Sequence, residues 1–145
     1  MIQVLKVSAL YFTGVFAVGF LLGAIRTLWV VPELGARVAE LIEAPIMLLV
    51  VILAARTIVR RHAELPRWGQ WLAVGLVALA LLLVVEFTVV LRLRDLSLSE
   101  YFATRDSVSG TVYYVLLGAF AVMPLLMFRQ RSRAAIHSDS PDNAA

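Results

Sequence analysis

Arg26, Glu40, Glu43 and Glu86 carry charge inside stretches of the sequence that are otherwise almost pure hydrocarbon. A guanidinium beside carboxylates can clamp two helices together or fix an anionic group. A carboxylate shielded from water and without a basic neighbour tends to hold a proton, and so can pass one on. Charges at membrane depth are costly, and they face protein or a water-filled cavity rather than lipid. The chemistry open to these residues is therefore ion pairing, ligand binding or proton exchange. Tyr113 and Tyr114 add phenolic hydroxyls at a comparable position in the last apolar stretch.

Spacing relates these groups to one another. A turn centres near Leu34 and Gly35, with Arg26 and Glu43 about eight residues to either side. At 1.5 Å per residue both lie roughly 12 Å from the turn, level across an antiparallel pair, which predicts the ion pair Arg26–Glu43. Glu40 is one turn shallower, three residues from Arg37. Glu86 stands six residues before Arg92, about 9 Å inside the same end. Setting Arg26 and Arg37 against Glu40, Glu43 and Glu86 leaves one carboxylate in excess, and Glu86 is the candidate proton carrier. Helical periodicity puts Gly19, Gly23, Arg26 and Val30 on one face, and Arg37, Glu40, Glu43, Met47 and Ala54 on another. Glu86 shares its face with Gly75 and Leu79. Pro45 and Pro124 each deprive a carbonyl one turn earlier of its helical donor. Both are ordinary features of membrane helices, whose neighbours supply the missing partner.

The elements that must position these groups are membrane helices. The 145 residues are 61% hydrophobic and 16% charged, with a mean hydropathy of +0.89, where a soluble domain would carry about a quarter charged residues. Apolar runs at 7–31, 38–58, 71–91 and 108–128 each reach the length of about 20 residues that crosses a bilayer. The expected fold is all-α: a polytopic membrane protein with four transmembrane helices in an up-down bundle. It occupies residues 1–130, followed by a polar, small-residue-rich and disordered tail at 131–145. The first run is too long for a signal-peptide core and lacks a clear cleavage site, so it reads as a retained helix.

Basic residues set the expected orientation. With both termini inside, eight (Lys6, Arg56, Arg60, Arg61, Arg67, Arg129, Arg131, Arg133) face the cytoplasm and five (Arg26, Arg37, Arg92, Arg94, Arg105) face outward. The excess predicts an inner-membrane protein with both ends in the cytoplasm. Trp29, Trp68 and Trp71 are placed as interfacial anchors. In the third connection Ser97 to Glu100 has capping-box spacing and would start a short amphipathic helix. Arg60, Arg61, Arg129, Arg131 and Arg133 are candidate contacts for anionic lipid. Basic charge at segment ends does not indicate nucleic acid.

Several chemistries are excluded. The absence of cysteine removes disulfides, thiol redox catalysis and Cys-based metal sites. His62 and His137 lie outside the spans, which removes bis-histidine haem. No zincin, P-loop, dinucleotide-binding or nucleophile-elbow motif occurs. Neither cofactor nor metal is called for.

The stretch GFLLGAIRTLWVVPELGARVAELIEAPIMLL, with the later VVEF and RDSVSGTVYY, resembles a group of small bacterial four-helix integral membrane proteins. The resemblance implies an inner-membrane location and carries no activity. Small multidrug-resistance transporters differ in placing a glutamate where this first span has Arg26. The membrane-associated eicosanoid and glutathione enzymes have an asparagine that Arg37 to Glu43 lacks.

The expected function is a non-enzymatic membrane protein whose outer-half polar cavity, built by Arg26, Glu40, Glu43, Glu86, Tyr113 and Tyr114, binds a small ligand or a partner helix. A proton-coupled carrier of small solutes, working as a homodimer, is the alternative. An intramembrane transferase or isomerase using the same carboxylates ranks last.

Overall fold

A computed structural model describes residues 1–62, 65–94 and 107–138, and among them every regular element is helical. Helix α1 (Ile2–Ile25) runs into a π-helical segment (Arg26–Val30) and then a single further turn, α2 (Val31–Leu34). Helices α3 (Ala36–Arg61), α4 (Trp68–Arg94) and α5 (Ser107–Ser138) complete the bundle. Four spans are long and apolar enough to cross a membrane, at Ile2–Leu34, Ala36–Arg61, Trp68–Thr88 and Gly110–Ala135. Large apolar side chains such as Phe20, Leu28, Leu49 and Val115 stand exposed along them. In water that surface would be untenable; in lipid it is the expected exterior. The fold defines a multi-pass membrane protein.

The first hairpin is tighter than the sequence suggests. Helical structure continues through Leu34 and resumes at Ala36, so Gly35 alone makes the reversal. Its φ of 79° and ψ of 159° fall in a region open in practice only to glycine. Pro32 sits at the start of α2, where its missing donor costs little.

Backbone packing pairs α3 with α5, α4 with α5, α1 with α4 and α1 with α3. The order around the bundle is therefore α1, α3, α5, α4, and the sequence neighbours α3 and α4 face each other across a diagonal. One close approach fixes α4 on α5: a Cβ on Gly75 would overlap the Ala121 carbonyl.

The dry core fills the half of the bundle that carries the chain termini. Val7, Tyr11 and Val15 of α1 meet Val51, Ala55 and Val59 of α3, Trp71, Val74 and Ala78 of α4, and Phe120 and Met123 of α5. Tyr11 stacks on Phe120, ring centroids 4.6 Å apart, and its hydroxyl donates to the Phe120 carbonyl at 3.0 Å. That carbonyl is the one Pro124 leaves without a helical donor. Ser8, fully buried, donates to the Val4 carbonyl of its own helix.

Two expectations are corrected here. Trp29 and Trp68 are 75% and 59% exposed, as anchors would be, but Trp71 is fully buried. Its ring stacks on Phe128 and its Nε1–H donates to the Leu65 carbonyl at 3.1 Å, so it closes the core beneath the α3–α4 connection. The tail does not leave the bundle as coil after residue 130, because α5 continues to Ser138. Arg131 donates to the Val59 carbonyl at 2.8 Å, tying this extension to the last turn of α3. The capping box at 97–100 and the remainder of the tail from 139 lie outside the described residues.

Candidate functional site

Beyond the core, at the Gly35 end, the four helices enclose a cavity of about 270 Å³. Each face that bounds it follows from sequence periodicity. Helix α1 and its π extension present Val15, Gly19, Gly23 and Arg26, residues three or four apart on one side. Helix α3 presents Glu40, Glu43, Met47 and Val51; α4 presents Leu82 and Glu86; α5 presents Tyr113, Leu116 and Phe120. Each helix places its polar residue nearer the Gly35 end and its apolar residues deeper. The cavity is therefore amphiphilic along its length, polar at the mouth and hydrocarbon at the floor. From Arg26 to Val15 it extends about 16 Å.

One wall of the mouth is the predicted ion pair. Arg26 Nη1 lies 2.9 Å from Glu43 Oε2 and 3.8 Å from Glu40 Oε1. Glu43 is the most shielded of the three, its side chain 15% exposed against 32% for Arg26 and 34% for Glu40. The contact to Oε2 falls outside hydrogen-bond alignment, so this buried oxygen has no hydrogen-bond donor among the described residues. The pair thus ties the α1 side of the bundle to α3. Arg26 opens the π segment, whose widened turn ends with the Val31 N–H donating to the Arg26 carbonyl. Short π segments recur at functional sites because they reset the direction of the side chains around them.

The facing wall is Glu86 with Tyr113, whose hydroxyl donates to Glu86 Oε2. In the sequence Glu86 has no basic residue three or four positions away; the structure gives it a phenolic donor from α5. Gly23 forms a bare patch of wall, since a Cβ there would meet nothing within 4 Å. Gly19 is closer packed, since a Cβ there would come within 3.1 Å of the Met47 methyl.

Arg26, Glu40, Glu43, Glu86 and Tyr113 thus come together around one space. Tyr114 does not: it is half exposed, touches Tyr113 edge-on with centroids 5.7 Å apart, and does not line the cavity. Adjacent helical residues point about 100° apart, so only one of the two tyrosines could face inward. Arg37 is exposed on α3 and is likewise absent from the lining. The floor residues Val15, Met47, Val51 and Phe120 belong to the site although nothing in their residue types marks them out from other apolar positions. Among the described residues no group of His, Cys, Asp or Glu is arranged to hold a metal ion. No family model matches the chain, and no curated protein or solved structure matches it.

Proposed function

We propose that this is a ligand-binding protein of the bacterial inner membrane, and that the cavity between its four helices holds a small amphiphilic molecule. The observation that carries this reading is the cavity itself, which joins a charged mouth to an apolar floor. At about 270 Å³ it is near the lower end of small-molecule sites. A helix, about 10 Å across, would not fit, which favours a small ligand over a partner helix. Arg26 and Glu43 set the mouth, Glu40 rims it, and Glu86 with Tyr113 receives the polar end of the ligand. The count of basic residues supports an orientation with both termini in the cytoplasm and the mouth toward the outside.

Native mass spectrometry of the protein released from lipid nanodiscs tests this. A specific small-molecule adduct is expected on the wild type and is expected to disappear in Gly23→Leu, whose side chain would project into the open patch. An adduct of unchanged mass and occupancy in Gly23→Leu would remove the cavity from the function.

A second reading, a proton-coupled carrier, is favoured by one further feature. Phe120, which lines the cavity, stacks on Tyr11 of the core, so among the described residues packed side chains stand between the cavity and the end carrying the start of α1, as one state of an alternating-access cycle requires. Proton-driven solute uptake in proteoliposomes that vanishes in Glu86→Gln would establish it.

A further inference from the structure

The end of the bundle that carries the chain termini is strongly basic. Lys6, Arg56, Arg60, Arg61, Arg67, Arg129, Arg131 and Arg133 belong to it, eight side chains against the three acids Glu64, Asp139 and Asp142, so at least five positive charges stay unmatched wherever those acids lie. Topology alone produces such a count in a multi-pass protein, but it does not decide where the charges meet. Arg131 is already spent on the Val59 carbonyl. Arg129 and Arg133 turn about 100° or more away from Phe128 on α5. Arg67, counted in the sequence only for orientation, stands differently. It is exposed at an open groove of about 500 Å³ lined by Pro66, Arg67, Trp68, Gly69, Gln70 and Phe128. The second span ends at Arg61 and the third begins at Trp68, which sets this groove where hydrocarbon gives way to headgroups.

The groove is fixed from beneath. Phe128 stacks on Trp71 with ring centroids 5.9 Å apart, and Trp71 is held by the Leu65 carbonyl at 3.1 Å. Arg67 and Gln70 bond reciprocally: the Arg67 N–H donates to Gln70 Oε1 at 3.3 Å, and the Gln70 N–H donates to the Arg67 carbonyl at 3.0 Å. The fold therefore uses the Arg67 backbone, while among the described residues nothing accepts from its guanidinium. Trp68 beside it is 59% exposed.

We infer that this groove is a site for an anionic phospholipid of the surrounding bilayer. The Arg67 guanidinium and the Gln70 amide nitrogen take the phosphate, and Trp68 and Phe128 flank the glycerol and the first carbons of a chain. A guanidinium donates two parallel hydrogen bonds to a phosphate, which gives geometry as well as charge. An indole offers an apolar body and a polar edge, as the boundary between chain and headgroup demands. Free phosphate would satisfy Arg67 but leave the two aromatic walls unused. A zwitterionic lipid carries an ammonium that the unmatched arginines repel, whereas a net negative headgroup is drawn to them over a Debye length of about 8–10 Å.

Trp68 reports on its own neighbour. The full chain carrying Trp29→Phe is reconstituted in phosphatidylcholine, which leaves Trp68 as the exposed indole, since Trp71 is fully buried. A small share of the lipid is then replaced by phosphatidylglycerol or phosphatidylcholine brominated near the carbonyl end of the chain, bromine quenching indole fluorescence on contact. The anionic lipid is expected to quench at about tenfold lower mole fraction than the zwitterionic one. Arg67→Gln is expected to reduce that preference about fivefold, the worth of one basic side chain near an anionic surface, and Arg133→Gln to leave it unaltered. Equal quenching by the two lipids overturns the inference. A preference that survives Arg67→Gln, or falls as far in Arg133→Gln, assigns it to the basic face as a whole and overturns the site. Quenching by neither lipid means that protein covers Trp68, a second copy of this chain, and overturns it as well.

Discussion

The two halves of the bundle are built on opposite rules. At the end carrying the termini, packing is dry and interlocked: Trp71 between Phe128 and the Leu65 carbonyl, Tyr11 on Phe120, and Gly75 against Ala121. At the Gly35 end the same four helices separate around a space and turn Arg26, Glu40, Glu43, Glu86 and Tyr113 into it. Hydrocarbon gives no hydrophobic push between helices, so close packing and interhelical hydrogen bonds hold the bundle together. The closed half supplies both, which leaves the open half free to remain hollow. Close packing and the cavity are thereby separated along the bundle axis, and substitutions in the two halves should fail in different ways.

The largest loss is expected from Trp71→Ala, which empties the most thoroughly buried ring and leaves the Leu65 carbonyl without its donor. A cost of about 3–5 kcal/mol should appear in reversible unfolding in mixed micelles. A cost below about 1 kcal/mol would mean the closed half is not what holds the fold. Gly75→Val should follow at about 3 kcal/mol, because α4 and α5 must move apart to admit any side chain. Arg26→Leu comes next, at about 1–3 kcal/mol, reduced from that of a fully buried pair by the partial exposure of the guanidinium. The double change with Glu43→Leu should recover part of the loss, and no recovery would show that the two residues do not interact. The smallest effect is the sharpest. Tyr11→Phe should cost about 1 kcal/mol in the native chain and almost nothing in Pro124→Ala, where the Phe120 carbonyl regains its helical donor. Additive losses in that cycle would mean that the proline and the tyrosine are unrelated.

How far the sequence anticipates this structure depends on the kind of force involved. The four spans are legible because about 20 apolar residues are needed to cross a bilayer, and little else in a chain looks like that. The level of Arg26 and Glu43 is legible because helical rise is constant and the turn between them is short. The order of helices around the bundle is not, since spans that are apolar on every side give no face to read. Tyr113 and Tyr114 could not be told apart without knowing how α5 is rotated. Trp71 stands where an interfacial tryptophan would, and only its neighbours Phe128 and Leu65 reveal that it turns inward. Pro124 announced a carbonyl in need of a donor; Tyr11 lies 109 residues from the Phe120 carbonyl it serves, beyond any local pattern. The π register at Arg26–Val30 is a choice made by the backbone, with Pro32 just beyond it as the nearest hint. The helical extension to Ser138 was hidden by its polarity, although arginine, alanine and glutamine all favour helix and Arg131 found a carbonyl on α3.

Gly35 carries a mechanical consequence. A reversal made by one residue leaves α1 and α3 no slack at that end, so the two helices can tilt only as a single plate. Their salt link then survives any widening of the mouth, and breathing must come from α4 and α5 swinging against that plate. A ligand held as proposed would lie between that plate and the wall bearing Glu86 and Tyr113.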